Sequence, residues 1–202
     1  RPSPDFDPVL MRTRRIVRAI EPDAPERPWL TGADLADALN LPADESRFLG
    51  LFSRQGITYT LTRYGILDTL SRMGFSDLDI TLDTSKRPHL LRITADVKGE
   101  RTVLFELAAQ IDRVAGLSTV FIDWLTLRDA RLPFGPAKPR LPGQDAPGLG
   151  LGQQVLSLIH AMGERSEQDA IAMVPSHYHV AWMSRDRFHF VDPVAEGRFR
   201  AL

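Results

Sequence analysis

Between Asp77 and Trp124 the chain alternates apolar and polar residues in four successive runs, and no other feature limits its fold so tightly. Leu78, Ile80 and Leu82 share one side of the first run, and Leu91, Ile93, Ala95 and Val97 one side of the second. Val103, Phe105 and Leu107 repeat the pattern, and Val120, Ile122 and Trp124 begin the fourth run. Successive side chains of an extended backbone point to opposite faces, so a period of two marks a strand with one buried side. Only short stretches separate the first three runs: Thr84 to Pro88, then Lys98 to Glu100. Alternating runs joined by tight turns predict an antiparallel meander with one wet face.

The apolar face of such a sheet must be covered. Thr62 to Met73 sets Tyr64, Leu67, Leu70 and Met73 at helical spacing and stops at Gly74. Gln153 to Glu164 reads as a helix with Val155, Leu158, Ile159 and Met162 inward. Ala170 to Val174 reads as a short buried strand, Val180 to Ser184 as a helical turn and Phe188 to Val191 as a last strand. Glu196 to Arg200 reads as a terminal helix or tail. Near the start, prolines bracket Met11 to Ile20, where Ile16, Val17 and Ile20 predict a short helix. Thr31 caps a further helix through Leu35, Ala36 and Leu39, and Asn40, Leu41 and Pro42 turn it into a second one. That pair resembles a helix-turn-helix, but Ala43-Asp44-Glu45 would set acids where DNA reading needs donors. The expected fold is therefore α+β, an α/β sandwich with a mostly antiparallel central sheet flanked by helices. Residues 1–55 are expected to form a helical segment and 56–202 the α/β domain.

Composition narrows the function. Twenty-five basic residues against 26 acidic ones leave a formal net charge of −1, which argues against nucleic acid as a partner. Cysteine is absent, so disulfides, thiolate nucleophiles and cysteine-ligated metals are excluded. A reducing, cytoplasmic location fits that absence. No apolar run approaches the roughly 20 residues that span a bilayer, and no membrane association is expected. Arg1 to Pro4 lacks the apolar stretch of a signal peptide.

Ala130 to Gly152 is rich in proline and glycine, and a loop this long inside a domain is functional or disordered. It ends in Gly148-Leu149-Gly150-Leu151-Gly152, directly ahead of the helix that starts at Gln153. Glycines let a ligand approach the backbone, and the free amides and dipole of a helix start favour an anion. A pyrophosphate suits these residues. The spacing is neither the dinucleotide fingerprint nor a P-loop.

The order strand, glycine loop, long helix, short strand, short helix and final strand from Val120 to Val191 resembles the C-terminal half of the GCN5-related N-acetyltransferase superfamily. The family's loop pattern lies on Pro147 to Gly152, its helix aliphatics on Val155 and Leu156, and its later alanine and strand aromatic on Ala181 and on Phe188 or Phe190. The resemblance implies acyl-CoA as co-substrate, with its pyrophosphate on Gly148, Leu149, Gly150, Leu151, Gly152 and Gln153. It also implies attack by an amine, from a small molecule or a protein, on the thioester carbonyl, whose oxygen is held by a backbone amide of the fourth strand. Glu106 and Asp123 are the sheet carboxylates expected to relay the proton. Tyr178 would protonate the departing thiolate. His177 is the alternative base, because imidazole titrates near neutral pH.

Two other functions compete. His177, His179, His189 and Asp192 include a His-x-His pair, the raw material of a zinc or iron hydrolase. The acyltransferase reading expects no metal. Alternatively, the chain is a non-catalytic interaction module that meets a protein partner through its N-terminal helices.

Overall fold

The computed structural model describes residues 9–13 and 47–201, so the paired helices expected between Thr31 and Leu51 lie almost wholly outside the described residues. The meander is present. Strands β2 (Ser76–Asp83), β3 (His89–Val97), β4 (Glu100–Val114) and β5 (Leu117–Leu127) run antiparallel in chain order. Leu82 faces Leu91, Leu91 faces Leu107, and Leu107 faces Leu125, so the apolar sides of all four strands coincide. The turns fix that register. Lys98 and Gly99 have φ of 57° and 85°, and Ala115 and Gly116 have 49° and 82°. Two left-handed residues in a two-residue loop give a hairpin twist that matches the strands. In the longer β2–β3 turn, the Asp83 carboxylate accepts from the Ser85 amide at 3.1 Å and the Ser85 hydroxyl at 2.6 Å.

Helices α1 (Arg54–Arg63) and α2 (Ile66–Arg72) contribute to the same core. Ile57, Leu61, Ile66 and Leu70 are buried there with Ile80, Ile93, Phe105 and Leu107. One helix was expected from Thr62 to Met73; there are two, because Gly65 takes the left-handed conformation at φ 69° and ends the first. The first helix begins at Ser53, whose hydroxyl accepts from the Gly56 amide at 3.2 Å.

Beyond β5 come α3 (Gly152–Arg165), β6 (Ala170–Met173), α4 (Tyr178–Ser184), β7 (His189–Phe190) and α5 (Pro193–Arg200). Strand β6 lies parallel to β5, which the intervening α3 permits. The last piece of sheet comes from the other end of the chain. Strand β1 (Leu10–Thr13) sits between β6 and β7 and is antiparallel to both. Met11 to Thr13 were expected to be helical. Four residues show no period of their own, and pairing with two distant strands decides their conformation. The fold is α+β, with a seven-stranded, mostly antiparallel open sheet in the order β2-β3-β4-β5-β6-β1-β7. Among the described residues no helix is long and apolar enough to cross a membrane.

Candidate functional site

Strands β5 and β6 pair only from Thr119 to Ile122, and β5 then runs on to Leu127 beside β4 alone. A stretch of β5 backbone is thereby left without a strand on its β6 side. The separation begins at a β-bulge. Ala108 faces Trp124 and Ala109 faces Ile122, so Asp123 is an extra residue on β5. The bulge reverses the alternation. Trp124 was expected to follow Val120 and Ile122 inward; instead it lies 43% exposed on the opposite face, and its indole N–H donates to Glu106 Oε1 at 2.7 Å.

The two sheet carboxylates have different surroundings. Partial burial tends to raise the Glu106 pKa, but hydrogen bonds from Arg92 and Trp124 and the charges of Arg92 and Arg128 outweigh it. The group is held below the ordinary glutamate value. Asp123 is raised above the ordinary aspartate value, first by burial and then by the charge of Asp112, against the lowering effect of the Gln110 amide at 3.2 and 3.3 Å. A carboxylate pushed up in this way is the better proton acceptor near neutral pH.

The proline-rich excursion after β5 is closed at its base. The Asp129 amide donates to the Pro147 carbonyl at 2.8 Å, and Arg128 donates to Val103 O at 3.1 Å and to Asp145. The excursion therefore returns to the end of β5: a Cβ on Gly148 would lie 3.6 Å from the Leu127 carbonyl. Asp129 is fully buried and bonded by the Arg131 side chain through two nitrogens at 2.9 Å each. Arg131 in turn stacks 3.5 Å over Phe75 and donates to Met73 O at 3.0 Å. This pair, with its carboxylate buried, anchors the excursion to the corner between α2 and β2.

The glycine stretch then enters α3 with its two leucines inward and its later glycines outward. Leu149 and Leu151 are 5% and 2% exposed and belong to the core, while Gly150 and Gly152 have open space where a side chain would begin. Gly150 has φ 78°, a conformation that costs other residues energy. No side chain caps the helix, and Gln153 in its first turn is exposed. Lys138, from the middle of the excursion, donates to the Gly148 carbonyl at 3.1 Å and so brings a cation to the loop. The sequence reading did not single out Lys138; a lone lysine among prolines carries no pattern.

His177 and Tyr178 stand apart from the sheet carboxylates. His177 precedes α4 and lies against the excursion, where any Cβ on Gly143 would collide with its ring. It stacks on His179 with ring centres 5.6 Å apart. The His179 pKa is lowered by burial and by its neighbour. Tyr178 stacks against Trp182 and Phe199 at 6.1 and 5.0 Å. No hydrogen bond, ion pair or ring contact joins either residue to Glu106 or Asp123. Among the described residues, no three His, Asp or Glu side chains come together as a metal site would require. No family model, curated protein or solved structure matches the chain.

Proposed function

We propose that the protein binds acyl-CoA and transfers the acyl group to an amine, in the manner of the GCN5-related acyltransferases. One observation carries the reading: the uncapped start of α3 follows a glycine stretch whose first residue, Gly148, meets the end of β5 at Leu127, on the part of β5 that has no β6 partner. Main-chain N–H groups at Gly150, Gly152 and Gln153 would receive the pyrophosphate, and Lys138 supplies a cation beside them. The thioester arm would run along the unpaired edge of β5, where a backbone amide holds the carbonyl oxygen. The amine nitrogen forms the new C–N bond, the C–S bond breaks, and the thiolate takes up a proton. Asp123, reached through water, accepts the ammonium proton; Glu106, kept ionised by Arg92 and Trp124, holds the positively charged amine. Tyr178 and His177, expected as thiolate donor and second base, pack instead against Trp182 and Phe199 and against His179, and take no step in this scheme.

Thermal melts with coenzyme A test this. A ligand at 100 times its Kd stabilises the folded form by about 2.7 kcal/mol, which raises the Tm of a domain this size by roughly 5–10 °C. Gly150→Glu should abolish the rise by placing a carboxylate where the diphosphate would sit, and Lys138→Gln should weaken binding mainly at low salt. A wild-type melt that coenzyme A leaves unmoved would overturn the proposal.

A further inference from the structure

At the far edge of the sheet, α4, β7 and α5 enclose a cavity of about 160 Å³ that the acyl-transfer reading does not use. Phe188, Phe190 and Phe199 form its buried floor, at 2%, 9% and 3% exposure. Trp182 forms a wall and is 45% exposed, an unusual position for the largest apolar side chain. Its ring centre lies 6.2 Å from that of Phe199, and Phe190 lies 5.1 Å from Phe199 on the other side. A cavity of this volume over an aromatic floor admits one six-membered ring, and aromatic side chains around it favour a flat one.

The rim is cationic in an uneven way. Glu196 is engaged by Arg200, whose Nε and Nη2 both donate to Glu196 Oε1, at 2.9 and 2.7 Å. Arg185 is held over the Trp182 ring at 4.1 Å and donates from Nη1 to the Trp182 carbonyl at 2.7 Å. Its nearest acid is Asp186, 3.8 Å from Nε and 80% exposed. The Arg185 fork is therefore fixed at the mouth with most of its donors unspent, the geometry that binds a carboxylate through two parallel hydrogen bonds.

We propose that this cavity is a binding site for a monocyclic aromatic carboxylate, its ring on the floor of Phe188, Phe190 and Phe199 beside Trp182, and its carboxylate on Arg185. It is separate from the glycine loop and does not depend on the acyltransferase reading.

Benzoate is the probe, with benzamide as its neutral counterpart of the same shape. The chain has three tryptophans, and Trp182→Phe assigns the Trp182 indole N–H signal in a nitrogen-edited NMR spectrum. Benzoate should shift that signal saturably and leave the other two in place, with a dissociation constant on the order of 1 mM for so small a ligand. Benzamide should bind about tenfold more weakly, and Arg185→Gln should reduce benzoate to the benzamide level while leaving benzamide unchanged. Arg185 is a partly exposed side chain, so that variant keeps the fold. Failure of benzoate to shift the Trp182 signal, equal binding of the two probes, or an Arg185→Gln variant that binds benzoate as wild type does would each overturn the proposal.

Discussion

From β2 to β5 each strand lies beside its neighbour in sequence and is joined to it by a turn, whereas beyond β6 adjacent strands come from opposite ends of the chain. Leu91 faces Leu107 across a two-residue turn, while Leu10 faces Met173 on one side and Phe190 on the other. The meander strands have 8 to 15 residues; β1, β6 and β7 have 4, 4 and 2. Long local pairings bury a continuous apolar face and close with little loss of chain entropy. Short distant pairings gain less and leave backbone unpaired, as along β5 past Ile122. The candidate site lies where the two halves meet: Glu106 and Asp123 are on meander strands, and the glycine stretch leads away from the end of β5.

The largest test of that contrast is in the core. Leu107→Ala should cost about 3–4 kcal/mol, because it empties a site packed between Leu91 and Leu125 at 1% exposure. Met11→Ala on β1, at 8% exposure, should cost about half as much. Urea denaturation measures both, and hydrogen exchange should show the Met11 change confined to β1, β6 and β7. Equal losses would mean that the two halves of the sheet do not differ in stability.

The next effect concerns the anchor of the excursion that leads from one half to the other. Hydrogen bonds from Arg131 hold the Asp129 carboxyl below the ordinary aspartate value, against the effect of burial, with further help from the Arg131 and Lys138 charges. A depressed carboxyl stabilises the fold above its unfolded pKa of about 3.9, and that contribution is lost as pH falls through the lower folded value. Asp129→Asn should therefore cost about 2 kcal/mol at pH 7, and the gap from wild type should narrow as pH falls below about 3.9. The excursion it secures should also become the first site cut by protease. Stability profiles that stay parallel down to pH 3 would show that the pair contributes little.

How far the sequence could be read follows the same division. The alternation of Leu78 to Leu107 was legible because strand, turn and partner are all local. The start of α3 was legible because the helical spacing of Val155, Leu158, Ile159 and Met162 is local, and Gly150 needs its left-handed φ of 78° whatever surrounds it. Trp124 was misplaced because a bulge is set by the pairing of two strands and leaves no mark on one. Gly65 was read through because an isolated glycine inside a helical pattern is tolerated, at a cost of about 1 kcal/mol, and so does not by itself mark a break. Strand β1 was missed because its partners are more than 150 residues away, and Lys138 because only the folded excursion brings it back to Gly148.

The smallest effect has the opposite sign. Burial and the charge of Asp112 raise the Asp123 carboxyl, so the folded state binds its proton more tightly than the unfolded chain does. Stability from this group is present at low pH and falls as pH rises from about 3.9 through the raised folded value. At pH 7 the ionised group is a burden, which Asp123→Asn removes while keeping the shape and a partner for Gln110. The variant should gain about 0.5 kcal/mol at pH 7 and nothing near pH 3, read from urea denaturation at both values. In the proposed mechanism it should still bind coenzyme A but lose the pH-dependent rate of acyl transfer, since an amide accepts no proton. A bulge that holds a carboxylate against the interest of stability, beside the open edge of β5, is what a site retained for chemistry requires. A variant less stable than wild type at pH 7 would instead make Asp123 a structural residue and move the proton acceptor elsewhere.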